Sequence, residues 1–260
     1  EGASLPRAQL AGATFYHAQM KGVDLSGANL QGVVLNYANL ESANLRGADL
    51  TNAQVGANTL AGADFSNAII AGARIGVTEE VGLSREQFYS TASYQAKQLR
   101  GVFLDYGVMQ GWNLAGQDLQ EATLAAGLQQ VDLSNSILRS AWIGAQLDQV
   151  SFADADLTDA DFSGAQFSKV DFRGAIVTGA NFYNATNSGF TRDYLYATKS
   201  HQEHNLRGID LSWNSLAGWD FSQQDLRDAI LYRSDLGGAN LAGASIEGAN
   251  FAQVASFTAN

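Results

Sequence analysis

Large hydrophobic residues recur at every fifth position over the first seventy-five residues of the chain. The series begins at Leu5 and reaches Ile75 without a slip, and a small residue, usually Ala, lies two positions before each large one. A helix would give a period of 3.6 and a strand a period of 2, so neither element explains the pattern. A short fixed period is typical of a solenoid, whose coils pack on their neighbours. The sequence therefore predicts an all-β solenoid of five-residue repeats.

Each repeat is predicted to point two side chains inward: the large residue, called the centre here, and the small residue two positions before it. Four repeats would make a parallel coil of about twenty residues, and coils would stack at roughly 4.8 Å. Ala suits the second inward position because two large side chains would overfill a narrow lumen. We expect Leu157→Asp to unfold the middle coils and Thr158→Asp to be nearly silent. The centres chosen to represent the lumen are Leu45, Leu50, Leu157, Phe162, Phe172, Leu236 and Leu241.

Two segments interrupt the period, and the second copies the first. Ser84 followed by Gln87 is a capping-box signature that predicts a helix from Arg85 to about Gln95. Residues after the second break match those after the first at a constant offset of 107. We therefore expect repeat coils over 1–75, 99–186 and 206–257, and helical inserts over 76–98 and 187–205, in one continuous or modular solenoid.

Two tryptophans occupy positions where the repeat otherwise carries Ala. Trp112 and Trp219 each lie two residues before a centre and follow an insert at the same spacing. An indole does not fit the narrow lumen, so the coil must open locally or turn the ring outward. One interpretation is a satellite core, in which insert residues including Tyr89 and Tyr196 cover the indoles. The other is an aromatic docking surface for a glycan or a protein partner.

The composition excludes several classes of protein. The chain has 260 residues, 46% of them hydrophobic, and a net charge of −11, which disfavours direct binding to a nucleic-acid backbone. The absence of cysteine excludes disulfides and thiolate metal sites. No apolar run is long enough to span a membrane.

Two polar clusters invite a chemical interpretation, and both have a simpler one. His201 and His204, with Glu203 between them, have the spacing of a metal-binding pair, but no second acid is placed beside them, so a solvated helix end is the simpler interpretation. The acids from Asp154 to Asp161 occupy ordinary repeat positions rather than a calcium loop. We therefore predict no catalytic residue, no metal and no cofactor, and we do not expect a small-molecule ligand or an enzyme.

The units Ala43-Asn44-Leu45-Arg46-Gly47 and Ala48-Asp49-Leu50-Thr51-Asn52 resemble the pentapeptide-repeat family. The resemblance implies a right-handed, four-sided parallel β-helix with Leu, Phe and Ala inward. Segments 87–94 and 111–119 are similar to a module of exported, multi-module pentapeptide-repeat proteins of planctomycete-type bacteria. That similarity implies a surface or extracellular protein without enzymatic activity. Other members of the family are acidic DNA mimics that protect topoisomerase from quinolones.

Two functions follow from these features as expectations. The first is a non-enzymatic structural or scaffolding solenoid, surface-located or extracellular, that mediates protein interaction or end-to-end self-assembly. The alternative is a cytoplasmic, acidic DNA mimic that inhibits or protects a topoisomerase or another DNA-binding protein. Neither end resembles a cap, the chain opens with Glu1, and Ser256-Phe257-Thr258 resembles the start of another insert. We therefore expect the sequence to be a piece of a longer protein, or its copies to stack end to end.

Overall fold

The computed structural model describes residues 3–56, 59–77 and 82–256, so the predicted start of a third insert at Phe257 lies outside it. The chain forms two compact units. Unit 1 comprises Glu1–Trp112 and Gln117–Gly127, and unit 2 comprises Asn113–Gly116 and Leu128–Asn260. Each unit is a parallel β-solenoid in which a residue pairs with its counterpart one coil later, as Asp24 does with Asn44 and Asp210 with Ile230. The predicted fold class is confirmed.

The chain turns a corner after each centre through a hydrogen-bonded β-turn. At a representative corner, the Ala13 N–H donates to the Leu10 carbonyl at 3.0 Å, and Gly12 has a φ of 70°. A positive φ at this position is the mark of a type II turn and favours Gly or Asn. The acidic or amide residue before the centre closes the same corner, as when the Ser26 N–H donates to Asp24 Oδ1 at 3.0 Å.

Short strands form where coil pairing is continuous. In unit 1, a four-stranded parallel sheet has the order β1 (Gln54–Val55), β2 (Arg74–Gly76), β3 (Phe103–Asp105) and β5 (Thr123–Leu124), and β4 (Val108–Gln110) lies outside it. In unit 2, β7 (Gln146–Asp148) pairs with β8 (Gln166–Ser168). Leu147 of β7 also lies opposite Leu128, in β6 (Gly127–Gln129).

The lumen of each unit is filled by the centres. The representative residues Leu45, Leu50, Leu157, Phe162, Phe172 and Leu236 are each at most 2% exposed. Leu241, in the last described coils, is only half-buried. Aromatic centres stack through unit 2, with the Phe162 and Phe182 rings 5.0 Å apart and nearly parallel. Full burial of one such side chain contributes about 1.5–3 kcal/mol.

The one-residue shifts of the period are absorbed at corners in unit 2. Bridges there join residues nineteen positions apart, as Asp132 with Ser151 and Ile137 with Asp156, rather than twenty. The paired residue is still the one before a centre, and the centres Leu133 and Leu138 remain buried. A shift inside a strand would instead have turned these side chains outward.

Each insert is a short helical detour within a single coil. Unit 1 contains α1 (Arg85–Ser90) and α2 (Ala92–Gln95). Unit 2 contains a 3-10 helix (Ala185–Ser188), α3 (Arg192–Tyr196) and α4 (Lys199–Gln202). Equivalent positions on successive coils lie above one another and form columns. These columns continue across each insert, as shown by the pairing of Arg74 with Phe103 in unit 1 and of Asn181 with Asp210 in unit 2.

The capping box at Ser84 is confirmed, but the single helix predicted over 85–95 is wrong. The Gln87 N–H donates to Ser84 Oγ, and the Ser84 N–H donates to Gln87 Oε1. Thr91 then takes an extended conformation, with φ −69° and ψ 146°, and divides the helix in two. Its hydroxyl donates to the Phe88 carbonyl at 2.7 Å and accepts the Tyr94 N–H at 3.2 Å. One side chain therefore ends α1 and begins α2.

Candidate binding surfaces

The insert of unit 1 covers Trp112. The Phe88 ring centroid, on α1, lies 5.0 Å from that of Trp112, and the Tyr89 centroid lies 6.0 Å from it. Trp112 is 6% exposed and Phe88 is fully buried. The indole is therefore packed against the helix, in the arrangement of a satellite core, and little of it remains accessible to a ligand.

The insert of unit 2 likewise covers Trp219. Tyr196 lies edge-on to the indole at 6.3 Å between centroids, and Phe190 is tilted against it at 6.4 Å. Trp219 is 6% exposed, and Leu195 on α3 is fully buried. Both units thus bury their irregular tryptophans, and Tyr89 and Tyr196 make equivalent edge-on contacts with them.

Polar side chains join each insert to its coil by matching hydrogen bonds. In unit 1, Ser93 Oγ accepts the Ile70 N–H at 2.9 Å, and Gln117 Nε2 donates to the Tyr94 carbonyl at 3.1 Å. In unit 2, the corresponding bonds run from the Val177 N–H to Ser200 Oγ at 2.9 Å and from Gln224 Nε2 to the His201 carbonyl at 2.9 Å. The inserts are therefore integral parts of the coils.

The histidines of the second insert take part in packing. The His201 ring stacks on Tyr196 at 4.4 Å, and its Nε2 is 3.2 Å from the Asp220 carbonyl oxygen. Burial lowers the pKa of His201. His204 Nδ1 lies 3.3 Å from Gln224 Nε2. Within residues 3–56, 59–77 and 82–256, no group of three or more His, Asp or Glu residues could hold a metal ion.

The acids of the repeat close corners on all four sides of the coil. Within unit 2, four Asp side chains on four different sides each accept the N–H two residues further on, at 2.8–3.1 Å. Arg227 also holds the Asp225 carboxylate, and its hydrogen bond lowers the pKa of Asp225 to about 2. The acidic charge is therefore spread around the coil and engaged in structure. The four residues are Asp210, Asp220, Asp225 and Asp235.

Exposed aromatic rings concentrate at one corner of unit 1, which we call the aromatic corner. Its residues come directly after the centres of one column, which includes Phe15, Leu35 and Leu104. These centres belong to one column because the residues before them are linked by β-pairing from coil to coil. The tyrosines there are 51–56% exposed. The residues of this corner are Tyr16, His17, Tyr37 and Tyr106.

The equivalent corner of unit 2 is also aromatic. Tyr183 and Trp213 follow consecutive centres of one column and are 43% and 41% exposed. The Arg233 guanidinium lies 4.8 Å from the Trp213 ring centroid and 5.3 Å from that of Tyr232. Trp213 stands 107 positions after Tyr106, so the two units place an aromatic residue at the same point of the repeated module. The period of five does not reveal these residues, because it treats all four columns of centres alike. What sets them apart is that they follow the centres of a single column.

Among the helices of the described ranges, none is long and apolar enough to cross a lipid bilayer.

Comparison with known proteins shows where the chain belongs. No curated protein matches it. HetL, a pentapeptide repeat protein involved in heterocyst differentiation regulation from the cyanobacterium Nostoc sp. strain PCC 7120, is 24% identical, with 95% of this chain and 78% of that chain covered and a TM-score of 0.22. Trypsin-treated QnrB1, a plasmid-mediated fluoroquinolone resistance protein, is 15% identical, with 95% and 90% covered and a TM-score of 0.34.

A pentapeptide repeat protein of the Arabidopsis thaliana thylakoid lumen is 24% identical, with 55% of this chain and 60% of that chain covered and a TM-score of 0.16. The family model for pentapeptide repeats matches eight copies, within residues 1–32, 24–56, 145–184 and 205–241, which together make about half of the chain. The chain belongs to the pentapeptide-repeat family.

Proposed function

We propose that the chain is a non-enzymatic, extracellular or surface scaffold that associates with copies of itself or with a protein partner through its outer faces. The observation that carries the proposal is the use made of its polar groups. Aspartates, asparagines and serines close corners, bridge coils or fasten inserts, as Asp210, Asn44 and Ser200 do. Side chains committed to holding their own backbone are poor candidates for acid–base or nucleophilic roles.

The acidic DNA mimic remains the alternative to be tested. A mimic needs carboxylates displayed as a strip that a DNA-binding surface can follow. Here the acids of unit 2 lie on all four sides, and several pair with arginines, as Asp156 does with Arg139 and Asp228 with Arg207. This arrangement favours the scaffold.

Light scattering during size exclusion, from about 1 to 500 µM protein, tests the scaffold together with negative-stain imaging. We expect the mass to rise with concentration, or elongated assemblies to appear. A gyrase supercoiling assay with the same protein is expected to show no effect. A strictly monomeric particle at every concentration, together with inhibition of supercoiling that weakens in an Asp220→Asn/Asp225→Asn variant, would overturn the scaffold in favour of the mimic.

A further inference from the structure

A notch of about 190 Å³ opens beside the aromatic corner of unit 1. Its floor is Gly56, where a Cβ would come within 3.2 Å of Asn36 Oδ1. The Gly56 N–H donates to the same Asn36 oxygen at 2.9 Å, and Asn36 Nδ2 donates to Gln54 Oε1 at 3.1 Å. Gly56 leaves space in the notch because it has no side chain, and the side-chain amide of Asn36 is held in place by these hydrogen bonds. Tyr37, Arg74 and Tyr106 complete the lining.

Tyr37 forms one wall and is held by its neighbours. His17 stacks on the Tyr37 ring with centroids 5.0 Å apart and an interplanar angle of 19°. Tyr16 meets the same ring edge-on at 5.5 Å. Because His17 covers one face of a ring that is still half-exposed, Tyr37 offers the notch a fixed aromatic surface.

Arg74 also lines the notch, and its guanidinium is held by neighbouring side chains. Its Nε and Nη2 donate to Asp105 Oδ2 at 2.9 and 2.7 Å, and the guanidinium stacks on Phe103 at 4.5 Å. The Asp105 side chain is 7% exposed, whereas that of Arg74 is 47% exposed. Hydrogen bonds to Asp105 and, more weakly, to Tyr106 raise the pKa of Arg74. Arg74 therefore offers N–H donors to the notch, and the buried Asp105 carboxylate balances the charge of its guanidinium.

This lining offers the two kinds of contact that a neutral sugar ring makes. A pyranose has a C–H face that packs on an aromatic ring, and hydroxyl groups that exchange hydrogen bonds with guanidinium, amide and phenol groups. The volume falls below the roughly 300–1,000 Å³ of a pocket for a drug-sized ligand. An anionic ligand gains little, because Asp105 already neutralises Arg74.

The size of the exposed patch also argues against a protein partner at this place. A stable protein interface buries about 800 Å² on each partner. Three half-exposed tyrosines offer about 300 Å², taking each ring as contributing roughly 200 Å² when fully buried. That area suits one or two sugar rings.

We propose that the notch between Tyr37 and Tyr106 is a subsite for one pyranose ring of a neutral glycan. The inference goes beyond the scaffold function and does not depend on it. A single subsite of this kind binds weakly, so detection must work at millimolar ligand.

Saturation-transfer NMR and titration test the proposal with four neutral hexasaccharides, built from glucose, N-acetylglucosamine, mannose or galactose, and one hexagalacturonate. We expect transfer to at least one neutral probe and weaker transfer to hexagalacturonate. Tyr37→Ala and Tyr106→Ala are each expected to weaken binding at least tenfold. Tyr183→Ala, which removes an exposed tyrosine outside the notch, is the matched control and should leave binding unchanged. Circular dichroism melts establish that each variant is folded.

Three results would overturn the proposal: no saturation transfer to any neutral probe, preferred binding of hexagalacturonate, or unchanged binding by folded Tyr37→Ala and Tyr106→Ala. If these two variants instead shift the mass measured by light scattering while no sugar binds, the corner contacts copies of the chain. That outcome removes the glycan subsite and supports the scaffold, so the failures of the two proposals can be told apart.

Discussion

At the residue scale, inward and outward positions of the same repeat differ sharply in what they tolerate. Leu157 is fully buried, and Gln166, on β8 of the same unit, is exposed. Thr158 looks neutral in the sequence, yet its hydroxyl donates to Asp156 Oδ1 at 2.6 Å. The expectation that Thr158→Asp is silent is therefore revised, because the new carboxylate would face that of Asp156.

Leu157→Asp should lower the free energy of unfolding by at least about 4 kcal/mol, because it buries an unpaired carboxylate in the lumen. Gln166→Asp adds the same charge to an outward position and should change it by no more than about 0.5 kcal/mol. Urea unfolding followed by circular dichroism measures both variants. Equal midpoints would contradict the inward placement of Leu157.

The burial of the centres could be predicted from the sequence, because a strict period of five fixes which side chains point inward wherever the columns continue. The notch could not. Gly56 looks like one more corner glycine, and the Arg74–Asp105 pair joins residues on successive coils separated by an insert. The sequence shows that the insert exists, but it does not show which residue after the insert pairs with which residue before it. The contact between Arg74 and Asp105 therefore cannot be predicted until that register is known.

At the scale of elements, the inserts are fastened by the same few bonds in both units. Ser93 and Ser200 each accept a backbone N–H from the coil beneath and are 3% exposed. Thr91 and Thr198 each cap the following helix through the hydroxyl oxygen. The offset of 107 in the sequence is therefore an offset between two copies of one hydrogen-bond pattern.

Ser200→Ala should cost about 1–3 kcal/mol, because it leaves the buried Val177 N–H without its acceptor. Ser93→Ala should cost a similar amount through Ile70. Hydrogen exchange of these two amides, read by NMR, is expected to accelerate at Val177 only in the first variant and at Ile70 only in the second. Gln166→Ala, an exposed change, serves as the control; unaltered exchange in both serine variants would refute the fastening role.

At the scale of the whole molecule, the acids link stability to pH. Hydrogen bonds from the side chain and N–H of Ser66 lower the pKa of Asp64. Hydrogen bonds from the arginine two positions further on lower the pKa values of Asp171 and Asp225, and the corner N–H groups add to this effect. A carboxyl group whose pKa is lower in the folded state favours folding above its unfolded pKa. That contribution disappears as the pH falls through the folded value.

The melting temperature should therefore fall slightly from pH 7 to about 5, because burial lowers the pKa of His201 below its ordinary 6.5 and the unfolded chain takes up that proton first. It should decline further as the pH falls from about 4 towards 2, the interval between the ordinary Asp pKa of 3.8 and the value of about 2 for Asp225. Asp225→Asn keeps an oxygen for the Arg227 N–H but removes the titration, so its decline should be shallower. Thermal melts at half-unit pH steps measure both proteins. A melting temperature that rises on acidification would contradict the assignment.

The pairing of each coil with the next has a consequence for how such a chain is made and altered. Bridges join residues twenty or twenty-nine positions apart in unit 1, as with Asp24 and Asn44 and with Arg74 and Phe103. In unit 2 the separations are nineteen, twenty or twenty-nine, as with Asp132 and Ser151, Asp210 and Ile230, and Asn181 and Asp210. A newly synthesised coil thus needs only its predecessor, and folding can keep pace with the ribosome. The same locality sets the step of evolutionary change: a gain or loss of one complete coil leaves every remaining residue with its former kind of neighbour.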